Sequence, residues 1–136
     1  MTSPLPPDYF RVRENGASVF RVDTENRRRR IEMHEIAMVN IRDGNIKAHG
    51  AHELTADETT TITQWMEARR ALLKRRDLDD IHRTIDHLNE TAHWAQSRAE
   101  DEDLEDFTDR LLLAMHDLRS VLVRKKAERV NRDQSR

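Results

Sequence analysis

The sequence predicts an α+β fold: a small antiparallel β-meander of about four strands over residues 8–48, followed by three helices over residues 55–130. The last two helices are expected to form a long antiparallel hairpin. Three observations point there. Asn15-Gly16 and Asp43-Gly44 each stand between short stretches that alternate apolar and polar residues, the mark of a β-hairpin. From Thr55 onward the apolar residues instead recur every three or four positions, the period of a helix. Strands thus precede helices without alternating with them, which argues against a doubly wound parallel sheet. A chain of 136 residues reads as a single domain.

In the first hairpin, Phe10 and Val12 alternate with Arg11 and Arg13, and Ser18, Phe20 and Val22 continue the pattern. A two-residue loop at Asn15-Gly16 sets Val12 across from Val19 and Phe10 across from Arg21. A three-residue loop, Glu14-Asn15-Gly16 with Gly16 left-handed, sets Phe10 across from Phe20 and Val12 across from Ser18. The second choice gathers Phe10, Val12, Phe20 and Val22 on one face, so the apolar pattern favours it. At Asp43-Gly44 a two-residue turn pairs Ile41 with Ile46 and Val39 with Ala48. Between the hairpins, Arg30-Ile31-Glu32-Met33 alternates as a further strand. One face of this sheet is apolar and needs a cover.

The helical part opens on Thr55-Ala56-Asp57-Glu58, a hydroxyl at the cap with a carboxylate three residues on: a capping box. Ile62, Trp65, Met66, Leu72 and Leu73 form a stripe ending near Arg76. Arg69 falls within it, as a stem that snorkels or as half of a buried ion pair. The second helix runs from near Asp77 to about Ala99, with Leu78, Ile81, Ile85, Leu88, Ala92 and Ala95 in unbroken register. The third spans roughly 103–130. Leu104, Phe107, Leu111, Ala114, Met115, Leu118, Val121 and Leu122 share one of its faces, while Leu112, Leu113 and Val123 lie off it and call for a second neighbour. Residues 131–136 read as a disordered, frayed end.

Charge is unevenly spread although the net value is only −2. Residues 77–109 hold twelve acidic and two basic side chains, and residues 110–136 hold three and eight. In an antiparallel hairpin the acidic start of helix two lies beside Arg119, Arg124, Lys125 and Lys126, so much of the asymmetry reads as internal pairing. Lys74-Arg75-Arg76 at a helix end and the acidic cluster Asp101–Asp106 at a helix start also carry the signs that the macrodipole prefers.

With three Gly and no Cys, the chain has no phosphate-cradling glycine loop, disulfide framework or thiolate metal site. Gly-x-Ser-x-Gly and His-Glu-x-x-His are both absent. An enzyme is not expected, and neither is a cofactor or a metal. Among the seven histidines, His82 and His93 share a strip of helix two with Asp86 and Asn89. Glu90-Thr91-Ala92-His93 matches one half of the carboxylate–histidine pattern of di-iron bundles, but the second half is missing. These side chains, and His34, His49, His52 and His116, are expected to be solvated surface.

Two features carry the functional reading. Arg27-Arg28-Arg29-Arg30 is a candidate nucleic-acid contact, with Arg11, Arg13 and Arg21 on the same sheet and Tyr9 as the one aromatic for base stacking. Pairing with Glu14, Asp23, Glu25 and Glu32 competes with that reading, and an overall pI near 6.4 does not favour it. Trp94 projects from helix two opposite its apolar stripe, near Arg83, His87 and Glu90; either it meets another part of the same chain, such as the sheet or helix one, or with Leu113 it marks a candidate protein interface.

The sequence therefore points to a non-catalytic interaction or regulatory protein that binds another macromolecule through helical surfaces. It is expected to self-associate as a homodimer, because helices two and three carry more apolar surface than one hairpin covers. The alternative is a nucleic-acid-binding regulator using Arg27–Arg30, with the basic tail Arg124–Arg136 as a second contact. A metal-binding helical protein or an enzyme ranks third. No apolar run is long enough to span a bilayer, and the first seven residues are neither basic nor apolar, so the expected setting is the cytoplasm, with no membrane partner.

Overall fold

The computed structural model describes residues 5–25 and 30–135. Strands β1 (Asp8–Arg13), β2 (Gly16–Asp23), β3 (Glu32–Asn40) and β4 (Ile46–Ala48) form one antiparallel sheet in the order β1-β2-β3-β4. Two helices follow, α1 (Ala56–Ser97) and α2 (Asp101–Gln134). The α+β class and the four-strand meander agree with the sequence reading; the helix count does not. The first two expected helices are one helix of 42 residues. Between Arg76 and Asp77 the charge changes sign, but no Gly or Pro interrupts the backbone, and a change of charge alone removes no helical hydrogen bond. The chain divides into two compact units, Met1–Asp80 and Ile81–Arg136, with α1 contributing to both.

In the first unit both hairpin registers differ from expectation. Arg13 pairs with Gly16, so the turn is Glu14-Asn15, and Phe10 lies across from Val19 with Val12 across from Ala17. Since the side-chain period of a strand is two, this one-residue slip moves Phe20 and Val22 to the opposite face from Phe10 and Val12. The cause is close packing of β2 on β3. A Cβ on Gly16 would stand 1.8 Å from the carbonyl oxygen of Val39, so Gly16 serves inside the strand rather than at a left-handed turn position. In the second hairpin Val39 pairs with Ile46 and Ala37 with Ala48, a shift of two residues that keeps Ile46 and Ala48 on the expected face. The longer loop is closed by Gly44 N–H donating to the Asn40 carbonyl at 2.9 Å, with Gly44 at φ +77°.

The alternation in β3 is interrupted once: Val19 faces Ala37 and Phe20 faces Glu35, leaving Ile36 as a bulge. The bulge lets the consecutive residues Ile36 and Ala37 both be buried. They join Ala17, Val19, Val39, Ile62 and Met66 in the core, with Phe10, Ile41, Ile46, Leu54 and Trp65 packed around it. The indole of Trp65 stacks on Phe10, with centroids 4.5 Å apart and planes 4° from parallel. The first turns of α1 are thus the cover that the sheet required. Farther along α1, Arg70 donates from Nε (3.2 Å) and a terminal nitrogen (3.1 Å) to the Ile41 carbonyl. Arg69 is half-buried beside Leu73 and Ile41.

In the second unit, residues 81–97 of α1 and all of α2 are joined by Arg98-Ala99-Glu100. Asp103 accepts a hydrogen bond from the Glu100 N–H at 3.0 Å, which starts α2. Near this connection the helices cover one another: Leu88, Thr91, Ala95, Leu104, Phe107 and Leu111 are half-buried. Away from it they do not, and every described residue from Leu112 onward is exposed. Helix α2 also continues through residues 131–134, where the sequence suggests a frayed end; Ser135 closes it. Among the described residues, no helix is long and apolar enough to cross a membrane.

Candidate interaction surfaces

The structure offers four places where polar or apolar side chains converge: the start of α1, the paired ends of β2 and β3, the outer face of the sheet, and the two-helix unit.

At the start of α1 the capping box forms as the sequence predicts. Glu58 N–H donates to Thr55 Oγ1 at 3.1 Å, and Thr55 N–H donates to Glu58 Oε1 at 2.9 Å. Two more donors, which the sequence did not reveal, converge on the same carboxylate. Arg21 reaches across from β2 to bond Glu58 Oε2, and His52 Nε2 lies 3.2 Å from Oε1. Glu58 is buried, and its pKa is held below the ordinary carboxylate value chiefly by the hydrogen bond from the Thr55 backbone. Burial opposes that shift, while His52 and Arg21 reinforce it. This cluster binds helix to sheet and leaves no free group aimed at a ligand. Arg21 belongs to it, and so does not stand beside Arg11 and Arg13.

Farther along the same strands Asp23, Glu32 and His34 bring three ligating atoms within 4.8 Å of one another. Asp23 pairs with Glu32 in the β2–β3 register, and His34 lies 3.9 Å from Glu32. They are the one such group among the described residues, and the sequence reading passed over them because strand register was needed to see it. The helical strip of His82, Asp86 and His93 does not converge in this way.

The outer face of the sheet carries Tyr9, Arg11 and Ser18 alongside Phe20. Phe20 is covered by Tyr9, 6.4 Å away between centroids, and by the Arg11 guanidinium 4.5 Å above its ring. Ser18 is buried and accepts from Arg13 Nε at 3.1 Å. Met38 and Lys47 are paired on this face and exposed. Of the arginine run, Arg27, Arg28 and Arg29 lie outside the described residues, and Arg30 is exposed.

No family model, curated protein or solved structure matches this chain.

In the two-helix unit Trp94 turns toward α2, its ring 6.2 Å from that of Phe107 and tilted by 49°. Trp94, Thr91, Phe107, Leu111 and Ala114 line a shallow apolar depression. His87 and Glu90 flank the other side of Trp94, with Nδ1 of His87 4.0 Å from Glu90. His87 and Trp94 are thus brought together, and Arg83 stands one turn before His87. Leu113 is 65% exposed and does not line either depression. The larger feature is one of extent. Ile81 and Ile85 on α1, and Leu112, Met115, Leu118 and Leu122 on α2, are each between 46% and 59% exposed. An apolar stripe that should bury itself stays open over most of its length.

Proposed function

We propose that the protein is a non-catalytic interaction or regulatory factor that binds a macromolecule through its helical surfaces and associates with itself. One observation carries this reading: from Leu112 onward no described residue of α2 is even half-buried, although the stripe there is Leu-, Met- and Val-rich. A helix with an apolar face of that length gains most of its stability from a partner. The face rimmed by Arg83, His87 and Trp94 is the surface for a second protein. Light scattering coupled to size exclusion tests the self-association. A dimer at micromolar concentration is expected, and a strict monomer at several hundred micromolar would refute it. A cytoplasmic location belongs to the same proposal and is checked by fractionating cells that carry a tagged chain.

A second reading, nucleic-acid binding by the sheet, has support in the outer face. Tyr9, Arg11, Arg13 and Lys47 combine an aromatic ring with cationic groups there. Anisotropy titration with DNA and RNA oligonucleotides at two salt concentrations decides it. Binding that falls steeply with salt and is lost on replacing Arg27–Arg30 by Ala would favour this reading; no binding at low salt would eliminate it.

A further inference from the structure

Resting on the self-association reading, we infer that the partner of α2 is α2 of a second copy, packed antiparallel about a twofold axis at Met115. Positions three, four, seven, ten, eleven and fourteen residues from Met115 in either direction lie on its side of α2. Three away stand Leu112 and Leu118, 58% and 51% exposed; seven away stand Thr108 and Leu122. Ten away stand Glu105 and Lys125, and fourteen away Asp101 and Arg129. Four and eleven away stand Leu111 with Arg119 and Leu104 with Lys126, Leu104 and Leu111 being half-buried where α1 covers them. The face is thus mainly apolar at its centre, with acid at one end and base at the other, equally spaced from Met115.

A twofold interface must be complementary to itself, each residue meeting its counterpart at the same distance beyond the axis. Antiparallel pairing about Met115 sets Leu112 on Leu118, Glu105 opposite Lys125 and Asp101 opposite Arg129, while the aliphatic stems of Arg119 and Lys126 lie along Leu111 and Leu104. Parallel pairing sets acid on acid and base on base, and costs rather than contributes. Glu102 and Glu128 are the one like-charged pair at matched distance, and Glu128 already has Lys125 3.7 Å away in its own helix. The helix dipoles also oppose favourably in this arrangement. From Asp101 to Arg129 the contact runs about 42 Å at 1.5 Å per residue.

The absence of native cysteine makes the test direct. Three single substitutions at exposed positions, Met115→Cys, Asp101→Cys and Arg129→Cys, are made in the full chain and oxidised or treated with a short bis-maleimide. Met115→Cys is expected to cross-link to itself. Asp101→Cys is expected not to, but to cross-link when mixed with Arg129→Cys. Independently, Asp101→Lys with Glu105→Lys should weaken dimerisation about tenfold, and mixing with Lys125→Glu plus Arg129→Glu should restore it. Self-cross-linking of Asp101→Cys, or a dimer in which Met115→Cys does not cross-link, overturns the antiparallel arrangement while leaving self-association intact. A chain that stays monomeric overturns both.

Discussion

The Glu58 carboxylate offers the most exacting test of how sheet and helix are held together. Replacing it with Gln keeps the shape and an acceptor for Thr55 N–H but removes the charge that Arg21 and His52 address. A hydrogen bond to a charged group is worth about 1.5–3 kcal/mol against about 0.5–1.5 for a neutral one. The Arg21 side chain is half exposed, so its share belongs to the surface range of about 0.2–1 kcal/mol. Together these give a loss of about 1–2 kcal/mol for Glu58→Gln at neutral pH. Glu58→Ala, which also removes the capping box, should lose about 2–3 kcal/mol.

The sign of the pH dependence follows from the lowered pKa. A carboxylate that ionises more readily when folded stabilises the fold above its unfolded pKa, and this contribution fades as pH falls through the folded value. The stability gap between wild type and Glu58→Gln should therefore be widest near neutrality and close below about pH 4. Urea titrations followed by Trp65 fluorescence, with Trp94→Phe in both chains, report this unit alone. A gap that is absent at pH 7, or that does not narrow in acid, would refute the argument.

Four further outcomes follow from the packing. Gly16→Ala has no room for its methyl group against the Val39 carbonyl, so it should lower stability by about 2–3 kcal/mol in a urea melt. Gly50→Ala meets nothing within 4 Å and should cost only the left-handed backbone at φ +55°, about 1–2 kcal/mol. Ile62, 1% exposed at the centre of the core, should lose about 2–5 kcal/mol on truncation to Ala by the same assay. In a Trp65→Phe background, Phe107→Ala should shift the emission of Trp94 to the red, because Phe107 covers part of the indole.

Much of the fold was legible because it rests on local signals. The capping box at Thr55 and Glu58, the two turn dipeptides and the change of period at Thr55 each depend on a few neighbouring residues, and each marks a real boundary. What failed was register and continuity. The turn Glu14-Asn15 is selected by the backbone of β3 pressing on Gly16, twenty-three residues away at Val39 in a strand that the hairpin pattern does not mention. The bulge at Ile36 is likewise a property of two strands together. The missing break at Arg76-Asp77 has a different origin: a change in charge marks no boundary by itself, since a helix stops for want of hydrogen bonds or for a better cap.

The candidate surfaces divide along the same line. The open apolar stripe on the helices could be anticipated, since counting apolar positions against what one hairpin can cover needs no coordinates. The Glu58 cluster and the Asp23, Glu32 and His34 group could not, since each joins residues from separate elements. The charge blocks are the instructive case. Read as internal pairing, the basic end of α2 should sit against acidic partners, yet Arg119, Arg124 and Lys126 are exposed and Lys125 turns to Glu128 within its own helix. Six acidic side chains in the first nine residues of α2, with a basic cluster beyond Leu118, mark an element whose two ends differ in sign. In the antiparallel arrangement proposed above, such an element is matched along its length by its own copy reversed, and the charge asymmetry of α2 sets how the two copies meet.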